Sequence, residues 1–177
     1  MARDNDSESL PEDQELVITR VFDAPRELVW KALTEPDRLA QWWGPAGFEM
    51  LVSRLDLRPG GVFHYSMRSP DGRVMWGKFV YRELAPPDRM VFVNSFSDEE
   101  GNVLRSPFSL TWPLEVLNTI SLSESGGRTT VTLRGGPINA SQEELDTFRN
   151  AQGSVRQGFA GTFDQLAAYL AAAMRGL

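Results

Sequence analysis

Asparagine interrupts an apolar alternation twice in this chain. Met90, Phe92, Asn94 and Phe96 recur at every second position, as do Leu114, Val116, Asn118, Ile120 and Leu122. That spacing places each set on one face of a β-strand. A carboxamide buried without partners costs about 1–3 kcal/mol, so each asparagine must meet a protein group, an ordered water or a ligand. The chemistry on offer is neutral hydrogen bonding in apolar surroundings. Tyr65, which alternates with Phe63 and Met67, adds a phenol, and Tyr81 and Glu83 complete a set that could move a proton in a cyclase or dehydratase reaction. For Glu83, and for Asp56, a surface or turn-stabilising role fits the same positions.

Residue types restrict other chemistries. The chain has no cysteine and a single histidine, His64, whereas zinc and copper sites take three or four soft ligands. No calcium-loop spacing occurs, so neither metal nor cofactor is expected. Without GxSxG, GxGxxG or a phosphate loop, nucleophilic hydrolysis and nucleotide chemistry lack their motifs. His64 alternates with Phe63 and Tyr65 and is expected on the outer, exposed face of its strand. A net charge of −6 opposes the phosphates of nucleic acid and an anionic membrane surface. Membrane insertion is not expected, because no apolar run reaches the ~20 residues of a spanning helix. The start "MARDNDSESLPEDQE" lacks the basic and apolar regions of a secretory signal, and with the absence of cysteine this predicts a cytoplasmic protein.

The elements that must position these groups follow from spacing and punctuation. Residues 1–13 are acidic and polar and read as a disordered tail ahead of one domain over 14–175. "ELVITRVF" over 15–22 reads as a strand, and Asp23-Ala24-Pro25 then supplies a cap and an early proline for a helix through Thr34. Pro36 opens a second short helix. Strands are predicted over 48–57, 61–69, 73–85, 89–97, 107–122 and 128–134, separated by hairpin-length turns such as "SPDGR" and "ESGGR". Ser141 and Glu144 form a capping box for a terminal helix. There Leu145, Phe148, Val155, Phe159, Phe163, Leu166 and Leu170 make an apolar stripe, beside a face of small residues at Ala151, Ser154, Gly158 and Gly161. Gly153, Gly158 and Gly161 predict a break or bend in its first half. The result is an α+β chain in which a curved antiparallel sheet of about six to seven strands wraps a long C-terminal helix, with two short helices after the first strand.

The stretches "ITRVFDAPRELVWKALTEPDRLAQWWGP", "LDLRPGGVFHYSMRSPDG", "ELAPPDRMVF" and "TWPLEVLNTISL" occur in an order that resembles the SRPBCC, or START-like, helix-grip superfamily. Within it, the chain resembles the bacterial branch of activator of heat-shock-protein-90 ATPase homologue-like proteins, over residues 15–174. The resemblance implies a deep apolar cavity between terminal helix and sheet, used for lipids, polyketides or other hydrophobic molecules, with aromatisation or cyclisation in some relatives. It also implies that co-chaperone activity belongs to larger proteins with a further N-terminal domain, in whose place this chain has an acidic tail. Relatives often carry Gly-Trp in the terminal helix where this chain has Gly158-Phe159.

These readings converge on a small hydrophobic ligand held between helix and sheet. Phe63, Tyr65, Met67, Phe92, Phe96, Gly158 and Gly161 are expected to line the site, and Asn94 and Asn118 to orient the ligand's polar end. An enzyme using Tyr65 or Tyr81 as acid, and an interaction module acting on a chaperone or as a homodimer, are the alternatives. Trp42 and Trp43 divide by helical geometry. Trp43, four residues after Leu39, is expected to anchor the short helix in the core, and Trp42, about 100° around it, to sit at the groove's mouth.

Overall fold

A computed structural model describes residues 15–176, and the expected disordered tail over 1–13 lies outside them. The elements are β1 (Leu16–Phe22), α1 (Arg26–Thr34), α2 (Pro36–Trp42), β2 (Glu49–Leu55), β3 (Val62–Arg68), β4 (Val74–Ala85) and β5 (Arg89–Ser97). There follow β6 (Val103–Leu104), β7 (Val116–Ser125), β8 (Arg128–Pro137), α3 (Gln142–Asn150) and α4 (Gln152–Arg175). All pairings are antiparallel, in the order β1-β8-β7-β5-β4-β3-β2, with β6 added to β5. The first two strands are thus the two edges of the sheet, and α1 and α2 carry the chain from one to the other. Register shifts between Val52 and Arg54, and between Tyr81 and Glu83, mark bulges that bend the sheet.

Alternation fixes which side chains enter the core. Phe63, Tyr65, Phe79, Tyr81, Met90 and Phe92 are buried on the face that α4 covers, together with Val29, Leu33 and Leu39 from the short helices. Leu16, Val116 and Phe148 form a second, smaller cluster. Full burial on α4 is confined to Thr162, Phe163, Leu166 and Leu170, from its middle onward. In its first half Val155 and Phe159 are half-buried against the clusters, while Gly153 and Gly158 are exposed. The helix is stitched to the β1 edge by Arg156, which donates to the Val17 carbonyl at 2.6 Å, and by Arg20, which donates to the Ala160 carbonyl at 3.2 Å and pairs with Asp164.

Several local expectations change. Residues 107–115 are not strand, because Pro107 and Pro113 lack donors and the hydroxyls of Ser106 and Ser109 accept from the backbone of Phe108 and Thr111. The strand begins at Val116. The terminal helix breaks at Ala151, between α3 and α4, and runs without interruption through all three glycines. Pro25 is the N-cap of α1, which has no side-chain cap. His64 does lie on the outer face, but it is buried there: Trp76 stacks on its ring at 4.9 Å and Nε2 lies 3.1 Å from the Asp98 carbonyl.

Candidate functional site

The two apolar clusters do not meet everywhere, and the gap between them is a hollow of about 630 Å³, counting space open to solvent. Phe79, Phe92, Ile120 and Leu133 form its floor, Phe148, Val155, Phe159 and Phe163 its helical roof, and Trp112 and Leu16 its sides. A second, more open hollow of about 600 Å³ adjoins it beneath the first half of α4, lined by Gly44, Pro45, Tyr65, Met67, Gly158 and Thr162. Trp43, Val155 and Phe159 belong to both and form the wall between them. A third hollow, which includes Phe96 and Met75, touches the first at Asn94 and Trp112 and the second at Tyr65 and Met67.

Polar atoms in this space are few and neutral. Asn118 donates to the Val116 carbonyl at 3.3 Å, and its side chain lies over Gly135 on the neighbouring strand. A Cβ at Gly135 would overlap the Asn118 carboxamide oxygen. Tyr65 repeats the device: its ring lies over Gly77, where a Cβ would meet the phenol oxygen at 2.7 Å. In both pairs, glycine frees the space into which a polar side chain from the adjacent strand folds. Asn94 is different. It lines the first hollow opposite Phe79 and Val116, and among the described residues its carboxamide makes no hydrogen bond to the protein.

Burial keeps the phenols protonated. It pushes Tyr65 up to about 12, against the opposing effect of a hydrogen bond from Trp43. Tyr81 is raised further, first by burial and then by the nearby Tyr65. Tyr81 is nevertheless sealed in the core and lines none of the three hollows. Glu83 is exposed and paired with Arg89 at 3.1 Å, after a bulge that turns it off the inner face. Neither can serve the cavity as an acid. Asp56 pairs with Arg58 at 2.8 Å.

The other expected residues divide. Phe92, Asn94 and Asn118 line the first hollow, Tyr65, Met67 and Gly158 the second, and Phe96 the third, where its ring faces Phe108. Phe63 is wholly buried between Tyr65 and Phe79, and Gly161 lines none of these hollows. Of the tryptophan pair, Trp42 is not at the mouth, and Trp43 both packs on the core cluster and lines the cavity. Trp42 is 1% exposed, and its indole N–H donates to the Ala32 carbonyl at 2.9 Å. Trp43 is the C-cap of α2: its N–H still donates to the Leu39 carbonyl at 2.9 Å and its φ of −71° is helical, so it keeps its helical relation to Leu39 and is half-buried against the core cluster. It turns toward the cavity and meets Tyr65, Phe79 and Phe159 edge-on at 6.5, 5.6 and 6.5 Å. The backbone on either side of it is held by α4: Gln165 donates to the carbonyls of Trp42 and Gly44, and Thr162 donates to Gly44 at 3.3 Å.

Trp112, Phe148 and Val155 were not expected in the site. Trp112 carries the same parity as Val116 and Asn118, and that was its signal. The segment bearing it is tied to α3 by an Arg105–Glu144 ion pair and by the Thr111 and Thr147 hydroxyls at 2.8 Å, which sets its ring 5.5 Å from Phe148. The hydrogen bond from Arg105, followed by the Ser141 backbone N–H of the capping box, holds the Glu144 carboxyl below its ordinary range.

With this geometry in view, comparison with known proteins is informative. The family described as "Activator of Hsp90 ATPase homolog 1-like protein" matches residues 23–171. The chain belongs to that family, within the SRPBCC helix-grip superfamily. Among its solved structures, protein Ms6760 of Mycobacterium smegmatis is 30% identical, with a TM-score of 0.73 over 90% of this chain and 91% of that one. A protein of Arthrobacter aurescens is 25% identical, with a TM-score of 0.76 over 91% and 88%. The AHSA1 protein of Silicibacter pomeroyi shares the fold at 19% identity, with a TM-score of 0.65 over 89% and 98%. No curated protein matches the sequence. Among the described residues of this family member, no helix is long and apolar enough to cross a membrane, and no group of three or more His, Cys, Asp or Glu side chains could hold a metal ion.

Proposed function

We propose that this protein binds a small hydrophobic molecule in the hollow between α4 and the sheet. The observation that carries the reading is Asn94: a half-buried carboxamide with no protein hydrogen bond among the described residues, set at a wall of aromatic and aliphatic side chains. A filled core gains nothing from such a group, whereas a ligand's hydroxyl or carbonyl can satisfy it and be oriented by it. The family's fold supports the same use of the space.

Native mass spectrometry of the protein purified from its own host tests the reading directly, and a co-purified apolar compound is the expected result. Adding that compound at about 100 times its Kd stabilises the fold by about 2.7 kcal/mol, read as a raised Tm. Asn94→Leu, which keeps the wall apolar, is expected to weaken binding about two- to twelvefold, the worth of one hydrogen bond. Failure to find or titrate any hydrophobic ligand would sink the proposal.

A further inference from the structure

Two adjoining apolar hollows share one aromatic wall, and this has a consequence for what can be bound. Trp43 approaches from the C-cap of α2 and Phe159 from α4, with ring centroids 6.5 Å apart at 66°. The first hollow, with Asn94 and Asn118, lies on one side of them, and the more open one beneath Gly158 lies on the other. Among the described residues, no charged side chain lines either. The Tyr65 phenol in the outer hollow holds its proton well above neutral pH.

We infer that Trp43 and Phe159 are specificity-determining residues that limit the length of the occupant, and that the occupant is uncharged. This rests on the hydrophobic-ligand reading above. A compound whose hydroxyl or carbonyl meets Asn94 fills the inner hollow until its tail reaches the Trp43–Phe159 wall. Each methylene up to that point gains apolar burial. The next meets a ring whose backbone is pinned on both sides by Thr162 and Gln165 of α4. A carboxylate at the inner end would lose its hydration with no cation to replace it.

The probe is a series of straight-chain 1-alkanols of increasing length, titrated against the intact protein by calorimetry, with the alkanoate of each length beside it. In the wild type, affinity is expected to rise about fourfold per methylene and then stop rising at a definite length. Trp43→Ala and Phe159→Ala each join the hollows and are expected to move that limit to longer chains. Trp43→Phe, a smaller change that keeps a ring, is expected to move it less and guards against a variant that does not fold. Alkanoates are expected to bind at least tenfold more weakly than alkanols of equal length. An unchanged limit in variants that fold and bind overturns the partition, and equal affinity for alkanoates overturns the neutral occupant. If no alkanol of any length binds the wild type, the hydrophobic-ligand reading fails and the inference fails with it.

Discussion

Two adjacent tryptophans leave α2 in directions about 100° apart and meet different surroundings. Trp42 occupies the last helical position, buried with its N–H paired to Ala32, while Trp43 takes extended dihedrals and faces the cavity. Trp42→Ala is therefore expected to cost about 3–5 kcal/mol in urea unfolding, the usual range for an aromatic lost from a core. Trp43→Ala should cost less, because its ring is already partly exposed. Equal losses would contradict the division. Helical spacing from Leu39 places Trp43 on the core side, where it packs, but does not show that Trp42 is buried more deeply, with its N–H on the Ala32 carbonyl of α1. Asn94 and Asn118 were legible for a sturdier reason: strand alternation sets facing over a whole segment, so no single boundary decides it.

Strands place two of the cavity's polar groups by pairing them with a glycine on the neighbouring strand. Tyr65 lies over Gly77 and Asn118 over Gly135. A methyl at Gly77 meets a rigid ring that is buried among Phe63, Phe79 and Trp43, whereas a methyl at Gly135 meets the end of a short side chain that can rotate. Gly77→Ala is thus expected to destabilise by about 1–3 kcal/mol, the range for overpacking, and Gly135→Ala by less, as measured by chemical denaturation. Neither pairing could be read from alternation along one strand, because each is a matter of cross-strand register. The bulge after Tyr81 turns Glu83 outward, where unbroken alternation would have kept it beside Tyr81. The segment 107–115 failed as a strand through its prolines and serines, yet Trp112 still reaches the cavity because Arg105 and Thr111 fasten its segment to α3.

Across the whole molecule, the two buried tyrosines couple folding to alkaline pH. Both phenols are raised above the unfolded value of about 10, so the fold favours their neutral forms. The stability this gives is complete below about pH 10 and is lost as pH rises through the folded values, when the unfolded chain ionises first. Unfolding monitored by circular dichroism should therefore coincide with a step in tyrosinate absorbance above pH 10, and Tyr65→Phe should flatten the dependence. Independent titration of these phenols in a folded protein would refute the coupling. At this scale the sequence by itself determined the order and kind of elements, the inner face of most strands and the helix that the sheet wraps. These follow from local periodicity, turn residues and caps, which act within a few positions of the chain. Only the tertiary structure decided that Val155 and Phe159 of α4 stay half-buried over the sheet, that the core divides into two clusters with a hollow between them, and that Trp43 and Phe159 meet as its wall. A cavity is space left over when distant surfaces fail to fit, and its position depends on all of them together.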